Sequence, residues 1–267
     1  MHVLITGATG GIGKGICESL VNAYPSVFPN LRLTVTSSRE GERLDELVKQ
    51  LRAHCPDVQG VGGDVTDPAA CEKLVHDAIR LQGDIDALVC VAGASGPGKL
   101  ESLPLEQWEL TFQLNVRSVW LMAKAAYASL KNTQGSVTAI ASMSGLHPHP
   151  GYGAYSPAKA ALIMLCRQLA QEWGGMGIRT NTVCPGMIRT PLTEAVYQDE
   201  SVKQQREALV PMQRIGRPDD IGEAVKYLIS PQASYVNGQN LVVDGGVADH
   251  MLSMIPGRPG KPPVNPS

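Results

Sequence analysis

The chain contains no run of 18 or more apolar residues, no excess of basic charge and no pair of cysteines with Cys-x-x-Cys spacing. Because a transmembrane helix needs such an apolar run, the first absence predicts no membrane span. The formal net charge of −2 lacks the basic footprint of a nucleic-acid-binding protein, so we predict no nucleic-acid partner. The six scattered cysteines match neither a zinc site nor a redox motif, and they predict reduced thiols in a cytoplasmic protein without a metal site.

The first residues also lack the basic segment that opens a signal peptide. Residues 1–5 are a short apolar run that leads directly into a glycine-rich loop, so they predict a first strand. The length of 267 residues and the hydrophobic content of 43% are typical of one large α/β domain, which we assign to residues 1–250. Residues 251–267 are rich in Pro and Gly and predict a C-terminal tail, either without fixed structure or packed through its apolar residues on a neighbouring subunit.

Short apolar runs rich in branched side chains alternate with longer helical patterns along the chain. The predicted strands are residues 3–5, 32–36, 58–62, 87–91, 136–140, 179–184 and 240–243. The predicted helices are residues 14–23, 42–55, 68–82, 105–130, 155–173 and 219–228. Because the strand runs show no polar alternation, this rhythm predicts a single α/β domain with a mostly parallel sheet and helices on both faces. Residues 22–30, with two prolines, predict a surface excursion in the first crossover.

A glycine-rich loop with the spacing G-x-x-x-G-x-G follows the first predicted strand and opens the first predicted helix. Gly7 permits a tight turn, Gly11 lets the backbone approach a pyrophosphate, and Gly13 allows close packing of helix on strand. The helix N-terminus adds unpaired N–H groups for phosphate. The alternative is a glycine turn without a ligand. A P-loop is excluded, because Lys14 is followed by Gly15 and not by Ser or Thr.

Tyr155 and Lys159 stand four residues apart, so they share one face of a predicted helix. An ammonium beside a phenol favours phenolate, and this pattern predicts that the pKa of Tyr155 lies below its usual value of about 10. Such a phenol can exchange a proton with a carbonyl oxygen. The alternative for this pair by itself is a half-buried tyrosine with a solvated lysine.

The chain resembles the short-chain dehydrogenase/reductase family in three features taken together. They are the glycine loop, the Tyr-x-x-x-Lys pair, and Ser142, which lies thirteen residues before Tyr155. The resemblance extends from Val3 to Gly246 and is greatest to 3-oxoacyl-(acyl carrier protein) reductase-like members. It implies a doubly wound, Rossmann-type parallel sheet. It also implies that Tyr155 is the general acid, that Ser142 hydrogen-bonds the substrate oxygen, that Lys159 binds the nicotinamide ribose, and that Asn115 holds a water that relays protons to Lys159.

The resemblance further implies a set of cofactor-binding residues. These are Thr6, Gly7, Gly11, Ile12, Gly13, Arg39, Asp64, Val65, Ala92, Gly93, Asn115, Tyr155, Lys159, Pro185, Gly186, Ile188 and Thr190. One departure from the family pattern is visible, since Cys90 and Val91 stand where two asparagines are usual. Those asparagines mainly brace the sheet, so the departure concerns local stability more than catalysis.

The residues at the end of the second predicted strand indicate the nicotinamide cofactor. An acidic residue at this point accepts from the ribose 2′-hydroxyl of NAD, but residues 36–39 read Thr-Ser-Ser-Arg and carry no carboxylate. Arg39 can pair with a 2′-phosphate through two hydrogen bonds. We therefore predict NADP(H); the alternative for Arg39 is a solvated loop residue.

The substrate is less well defined by the sequence. Residues 191–211 follow the segment that resembles the carboxamide-contacting motif, and they predict a mobile lid of mixed polarity. His147, His149 and Tyr152 are expected at the mouth of the pocket. The leading interpretation is an NADPH-dependent carbonyl reductase for a small-molecule or carrier-bound ketone, such as a 3-oxoacyl compound. The alternatives are an oxidative secondary-alcohol dehydrogenase and a non-catalytic nucleotide-binding protein. The resemblance also implies a homotetramer, or a homodimer, in which the helices at 105–130 and 155–173 meet partner subunits.

Overall fold

A computed structural model describes residues 1–250, and the predictions made for residues 251–267 lie outside the described residues. Seven parallel strands form one sheet in the order β3-β2-β1-β4-β5-β6-β7. The strands are β1 (His2–Thr6), β2 (Arg32–Ser37), β3 (Val58–Gly62), β4 (Ala87–Cys90), β5 (Ser136–Ile140), β6 (Arg179–Pro185) and β7 (Asn240–Val243). The predicted doubly wound parallel sheet is confirmed, and every predicted strand is present.

Helices cover both faces of this sheet. They are α1 (Gly11–Asn22), α2 (Glu42–Arg52), α3 (Pro68–Gln82), α4 (Leu105–Phe112), α5 (Ser118–Thr133), α6 (Tyr155–Trp173), α7 (Glu194–Tyr197), α8 (Glu200–Leu209) and α9 (Pro218–Ile229). One apolar core lies between the sheet and α1, α2 and α9, and a second lies between the sheet and α3, α5 and α6. Within β1, Val3 and Ile5 enter the first core while Leu4 enters the second, which explains why the strand sequences show no polar alternation.

The chain order of the strands reverses between β1 and β4. In open parallel sheets, ligands bind outside the carboxyl ends of the strands at such a switch point. The glycine-rich loop follows β1 and residues 91–95 follow β4, so the fold brings these two segments together at this edge. None of the helices within residues 1–250 combines the length and the apolarity needed to cross a bilayer.

The single helix predicted at 105–130 is wrong in one respect, because a π-helical turn at Gln113–Arg117 separates α4 from α5. The side chain of Asn115 in this turn donates from Nδ2 to the Thr111 carbonyl oxygen at 2.9 Å, one helical turn earlier. It also donates to the Ala94 carbonyl oxygen at 2.9 Å, in the segment after β4. The widened turn therefore turns a polar side chain of the helix toward the switch point.

Other differences are smaller. Helix α2 ends at Arg52 instead of residue 55, α1 starts at Gly11 instead of residue 14, and β4 ends one residue early at Cys90. The predicted surface excursion at 22–30 consists of turns and is mostly exposed, but Phe28 is buried in the first core and anchors it.

Helices α1 and α9 approach each other closely at two glycines. A Cβ atom on Gly15 of α1 would overlap the side chain of Pro218, and one on Gly222 of α9 would overlap the hydroxyl group of Ser19. Only glycine allows the two helices to approach this closely. The helix that carries the glycine loop is thereby packed directly against α9.

A buried histidine in β1 makes the stability of the fold depend on pH. His2 has no exposed surface; its Nδ1 donates to the Gly83 carbonyl oxygen at 2.9 Å, and its Nε2 accepts from the Thr34 hydroxyl at 2.9 Å. This arrangement holds the neutral imidazole, and burial lowers the pKa of His2.

We expect the free energy of unfolding to fall as the pH decreases below about 6.5, the pKa of an unfolded histidine, and through the lower pKa of folded His2. In that window the unfolded chain binds the extra proton, so the loss is up to about 1.4 kcal/mol per pH unit. Urea unfolding at about pH 7.5 and at about pH 5.5 measures this loss in the free energy of unfolding. His2→Asn should reduce this dependence and leave the part due to His149, whose pKa burial also lowers, whereas exposed His54→Asn should retain all of it. Equal pH dependence in both variants would contradict the assignment.

Candidate active site

A cleft of about 560 Å³ opens at the carboxyl ends of the strands. Its walls come from the glycine loop, the ends of β2, β3, β4, β5 and β6, the start of α6, and the segment that carries α7 and α8. The cleft thus lies at the switch point between β1 and β4, where the topology favours ligand binding.

The glycine loop forms one wall of the cleft through Gly7, Gly11, Ile12 and Gly13. Gly7 has a φ of +65°, and a Cβ atom there would lie 2.7 Å from the backbone nitrogen of Ala92. A Cβ atom on Gly13 would overlap the Gly7 carbonyl oxygen. Glycine at these two positions therefore lets the loop pack against the segment after β4 and against the start of α1, whose N-terminus offers free N–H groups at the cleft.

Thr6 supports this loop from behind instead of lining the cleft. It is buried, and its Oγ1 accepts from the backbone nitrogens of Val91 at 3.2 Å and Ala92 at 3.3 Å. Those bonds satisfy the backbone just beyond β4, next to the Cys90–Val91 pair that departs from the family pattern. Thr6 thus secures the two segments of the switch point to each other.

Ser142 and Tyr155 meet on the wall of the cleft. Ser142 follows β5, and its Oγ accepts from the Ser144 backbone nitrogen at 3.1 Å, which caps the 3-10 turn Met143–Gly145. Tyr155 is the first residue of α6. The two hydroxyl groups lie close enough for that of Ser142 to lower the pKa of Tyr155. Two hydroxyl donors that converge in this way can bind one carbonyl oxygen.

The direction of the Tyr155 pKa differs from the prediction. Burial raises the pKa of Tyr155, and the hydrogen bond with Ser142 offsets only part of this. The ammonium of Lys159 lies 5.6 Å from the Tyr155 ring centroid, but its Nζ donates to the Ile140 carbonyl oxygen at 2.8 Å. The predicted lowering of the pKa by Lys159 is therefore wrong for this arrangement, and the phenol remains protonated at neutral pH.

Lys159 is itself almost fully buried, and burial lowers its pKa to about 8. Asn115 lies behind the same wall, with its Oδ1 buried and without a hydrogen-bond partner within residues 1–250. A Cβ atom on Gly93 would lie 2.7 Å from Asn115 Oδ1 and 3.3 Å from Lys159 Nζ. The three residues converge, and an unpaired acceptor next to an ammonium leaves room for a bridging donor such as water.

Most of the predicted cofactor-binding residues line this cleft. Those that do are Gly7, Gly11, Ile12, Gly13, Asp64, Val65, Ala92, Gly93, Tyr155, Lys159, Pro185, Gly186, Ile188 and Thr190. Thr6 and Asn115 lie behind its wall. Arg39 is exposed, beyond Ser37 and Ser38, which do line the cleft, and it makes no ion pair within the described part of the chain.

The cleft has the properties required by a dinucleotide. Its glycine loop offers bare backbone at a helix N-terminus, and Asp64 follows β3 in the adenine-side position expected from the sequence. Thr190 abuts the loop, since a Cβ atom on Gly11 would lie 2.6 Å from Thr190 Cβ. Ser142 and Tyr155 line the same cleft, and the unpaired Asn115 Oδ1 lies behind its wall.

Several lining residues were not singled out as site residues from the sequence. They include Thr9, Ser95, Ser144, Leu192, Thr193, Tyr197 and Arg206. The predicted lid forms two helices, α7 and α8, and contributes the last four of these residues. Of the loop residues expected at the pocket mouth, His149 and Tyr152 line the cleft and His147 does not.

Comparison with known proteins identifies the family. A family model described as "Enoyl-(Acyl carrier protein) reductase" matches residues 7–248. "Dehydrogenase/reductase SDR family member 4" of Bos taurus is 32% identical over 250 residues, covering 93% of this chain and 87% of the relative. The chain belongs to the short-chain dehydrogenase/reductase family. It is therefore an oxidoreductase of that family, and the resemblance inferred from the motifs is confirmed.

Other similar short-chain dehydrogenases/reductases have more specific names. "Acetoacetyl-CoA reductase" of Acinetobacter sp. (strain RA3849) is 32% identical over 248 residues, covering 92% of this chain and 97% of the relative. The solved structure titled "Pseudomonas aeruginosa RhlG/NADP active-site complex" has a TM-score of 0.85 and 30% identity, covering 92% of this chain and 96% of that chain. The likeness to 3-oxoacyl reductase-like members is thus confirmed.

Proposed function

We propose that this short-chain dehydrogenase/reductase reduces a ketone with NADPH, and that the ketone is a 3-oxoacyl compound or a similar small-molecule or carrier-bound substrate. The observation that carries this proposal is the convergence of the Ser142 and Tyr155 hydroxyl groups on the cleft that the glycine loop also lines. The name of the similar acetoacetyl-CoA reductase supports a 3-oxoacyl substrate.

Tyr155 acts as the general acid in this proposal. When bound, the reduced nicotinamide supplies hydride to the carbonyl carbon. Ser142 Oγ donates to the carbonyl oxygen and orients it, and the Tyr155 hydroxyl donates its proton as negative charge develops there. The raised pKa of Tyr155 supports this direction, because the phenol carries its proton at neutral pH. In the oxidative direction the same phenol would first have to lose that proton.

Lys159 and Asn115 support the acid. We assign the Lys159 ammonium to the ribose hydroxyls of the nucleotide, next to Tyr155 on the same face of α6. The unpaired Oδ1 of Asn115 would accept from a water that connects it to Lys159 and returns a proton to the site. The π-helical turn aims Asn115 inward, and its Nδ2 bonds to Thr111 and Ala94 hold it there.

NADPH is the proposed cofactor because the end of β2 offers no carboxylate to the adenosine ribose. Ser37 and Ser38 line the cleft, and the exposed guanidinium of Arg39 has no ion partner within residues 1–250. Hydroxyl groups and a free guanidinium favour a 2′-phosphate over a 2′-hydroxyl.

Turnover of a ketone panel tests the proposed function. NADPH and NADH fluorescence should be followed with acetoacetyl-CoA and with simple ketones, and NADP⁺ reduction with the matching secondary alcohols. We expect NADPH-dependent reduction of at least one ketone and slower alcohol oxidation at neutral pH. Cofactor binding without turnover of any compound would support the non-catalytic alternative, and faster alcohol oxidation would support the dehydrogenase alternative.

We further propose a homotetramer, or a homodimer, formed through the faces of α4, α5 and α6. Leu110, Trp120 and Met164 on these helices are 54%, 42% and 59% exposed in the single chain. Light scattering on the purified protein should give a mass of two or four chains. A monomeric mass would contradict this proposal.

A further inference from the structure

A second set of polar side chains shares the cleft with Ser142 and Tyr155. They are Ser144, His149 and Tyr152 from the loop before α6, and Tyr197 and Arg206 from α7 and α8. The Ser144 hydroxyl and His149 Nδ1 are hydrogen-bonded at 2.9 Å, and the His149 ring stacks on the Tyr152 ring with 3.7 Å between centroids. Tyr152 in turn lies 6.5 Å from Tyr155 between ring centroids. These contacts connect the second set directly to the acid.

The guanidinium of Arg206 is held over a buried aromatic ring. It lies 5.5 Å from the centroid of Tyr197, and its Nη1 donates to the Tyr197 hydroxyl at 3.5 Å. Tyr197 is only 4% exposed, so it provides a fixed platform. The charge of Arg206 also contributes, after burial, to lowering the pKa of His149, which agrees with a position beside that ring.

Arg206 has no carboxylate partner within residues 1–250, although acidic residues surround it in the lid. The lid has four acidic residues, and none of them forms an ion pair with Arg206 within residues 1–250. Arg189 holds Glu194 through two hydrogen bonds of 2.9 and 2.6 Å, and Lys203 pairs with Glu200 at 3.2 Å. Asp199 accepts from two backbone nitrogens at the start of α8. The guanidinium of Arg206 therefore faces the cleft with only a phenol as its partner.

The other charged residues that line the cleft do not compete for the same ligand group. Lys159 is committed to the Ile140 carbonyl oxygen. Asp64 follows β3, the edge strand that β2, β1 and β4 separate from β5. Its Oδ1 accepts from the backbone nitrogen and the hydroxyl of Thr66. The Ser142–Tyr155 end of the cleft is thus cationic and holds a planar guanidinium, which binds a carboxylate through two parallel hydrogen bonds.

We propose that Arg206 binds a carboxylate of the substrate, so that the ketone reduced at Ser142 and Tyr155 belongs to a keto acid. This rests on the proposed function, since it assumes that a ketone occupies the cleft. Tyr197 positions the guanidinium, and the stacked His149 and Tyr152 rings form the wall between the carboxylate end and the carbonyl end of the substrate. Because Arg206 comes from α8, binding of the carboxylate also fixes the lid over the cleft.

Paired substrates test the carboxylate directly. Acetoacetate and levulinate are compared with their methyl esters as kcat/KM values in the wild type, Arg206→Met and Lys203→Met. We expect the wild type to prefer each acid, and Arg206→Met to lower kcat/KM for the acids by about tenfold or more, which is the contribution of a charge-assisted hydrogen bond. The methyl esters should be unaffected. Lys203→Met removes a cation of the same helix that does not line the cleft, and it should retain the preference for the acids.

A binding measurement separates this proposal from the proposed function. Calorimetry of acetoacetate with the enzyme saturated in NADP⁺ requires no turnover. An outcome in which the protein binds acetoacetate in an Arg206-dependent way and yet reduces no ketone would contradict the proposed function and would support the carboxylate site. Any of three results would overturn the carboxylate site. The first is an equal loss of activity toward acids and esters in Arg206→Met, and the second is a wild-type preference for the esters, or for acetoacetyl-CoA, over acetoacetate. The third is an affinity for acetoacetate that is the same in Arg206→Met as in the wild type.

Discussion

Replacement of Tyr155 by Phe is expected to lower kcat for ketone reduction by about 10²- to 10⁴-fold, the usual contribution of a positioned general acid. The substitution removes only the hydroxyl group, so the ring at the start of α6 and its 5.6 Å approach to the Lys159 ammonium remain. Stopped-flow or steady-state measurement of NADPH oxidation at saturating ketone gives the value.

Two further measurements distinguish the loss of the proton donor from a disturbance of the fold or of cofactor binding. The Kd of Tyr155→Phe for NADPH should change far less than kcat, and the variant should unfold at the same denaturant concentration as the wild type. Tyr127→Phe is the matched control, because Tyr127 packs against Trp173 with 4.9 Å between ring centroids and an angle of 54° between the ring planes, and it does not line the cleft. If Tyr155→Phe retained more than about a tenth of the wild-type kcat, Tyr155 would not be the proton donor.

The second large effect concerns the choice of cofactor. Arg39→Ala should raise the KM for NADPH by about 10- to 100-fold, since it removes charge-assisted hydrogen bonds to a 2′-phosphate. The KM for NADH should change little, because the 2′-hydroxyl of NADH offers no charge to the guanidinium. Steady-state kinetics with both cofactors at a fixed ketone concentration gives the two values.

Lys49→Ala provides the control for Arg39, because Lys49 is an exposed cation in the last turn of α2. It should leave both KM values unchanged. Parallel changes for NADPH and NADH in Arg39→Ala would remove the basis for the NADP(H) assignment. In that case Arg39 would be the solvated loop residue of the alternative interpretation.

The features that could be predicted from the sequence are those that a local sequence pattern determines, such as strands and glycine turns. Strand positions follow from buried apolar runs, and the carboxyl ends of parallel strands meet at one edge, so the glycine loop could be placed at that edge. Ser142 and Tyr155 were assigned to the site through the resemblance to the family. Gly7 and Gly13 were predictable for a similar reason, because their positions forbid a Cβ atom.

The remaining features depend on contacts that leave no periodic pattern. The π-helical turn at Gln113–Arg117 inserts into a helix whose apolar spacing continues on both sides. The pKa of Tyr155 depends on burial, which outweighs the spacing of the Tyr155–Lys159 pair. Tyr197 and Arg206 lie in a lid of mixed composition, and only the path of the chain over the cleft brings them toward Tyr155.

The contact between α1 and α9 bears on how the protein is made. Helix α1 packs its Gly15 face on Pro218 and Gly222 of α9. The first core takes Ile16 and Leu20 from one end of the described chain and Val225 from the other. During synthesis, a ribosome must therefore release nearly the whole domain before this core can close, and until then the apolar face of α1 stays exposed. An N-terminal fragment that ends before α9 therefore lacks part of the core that packs around α1, the helix of the glycine loop.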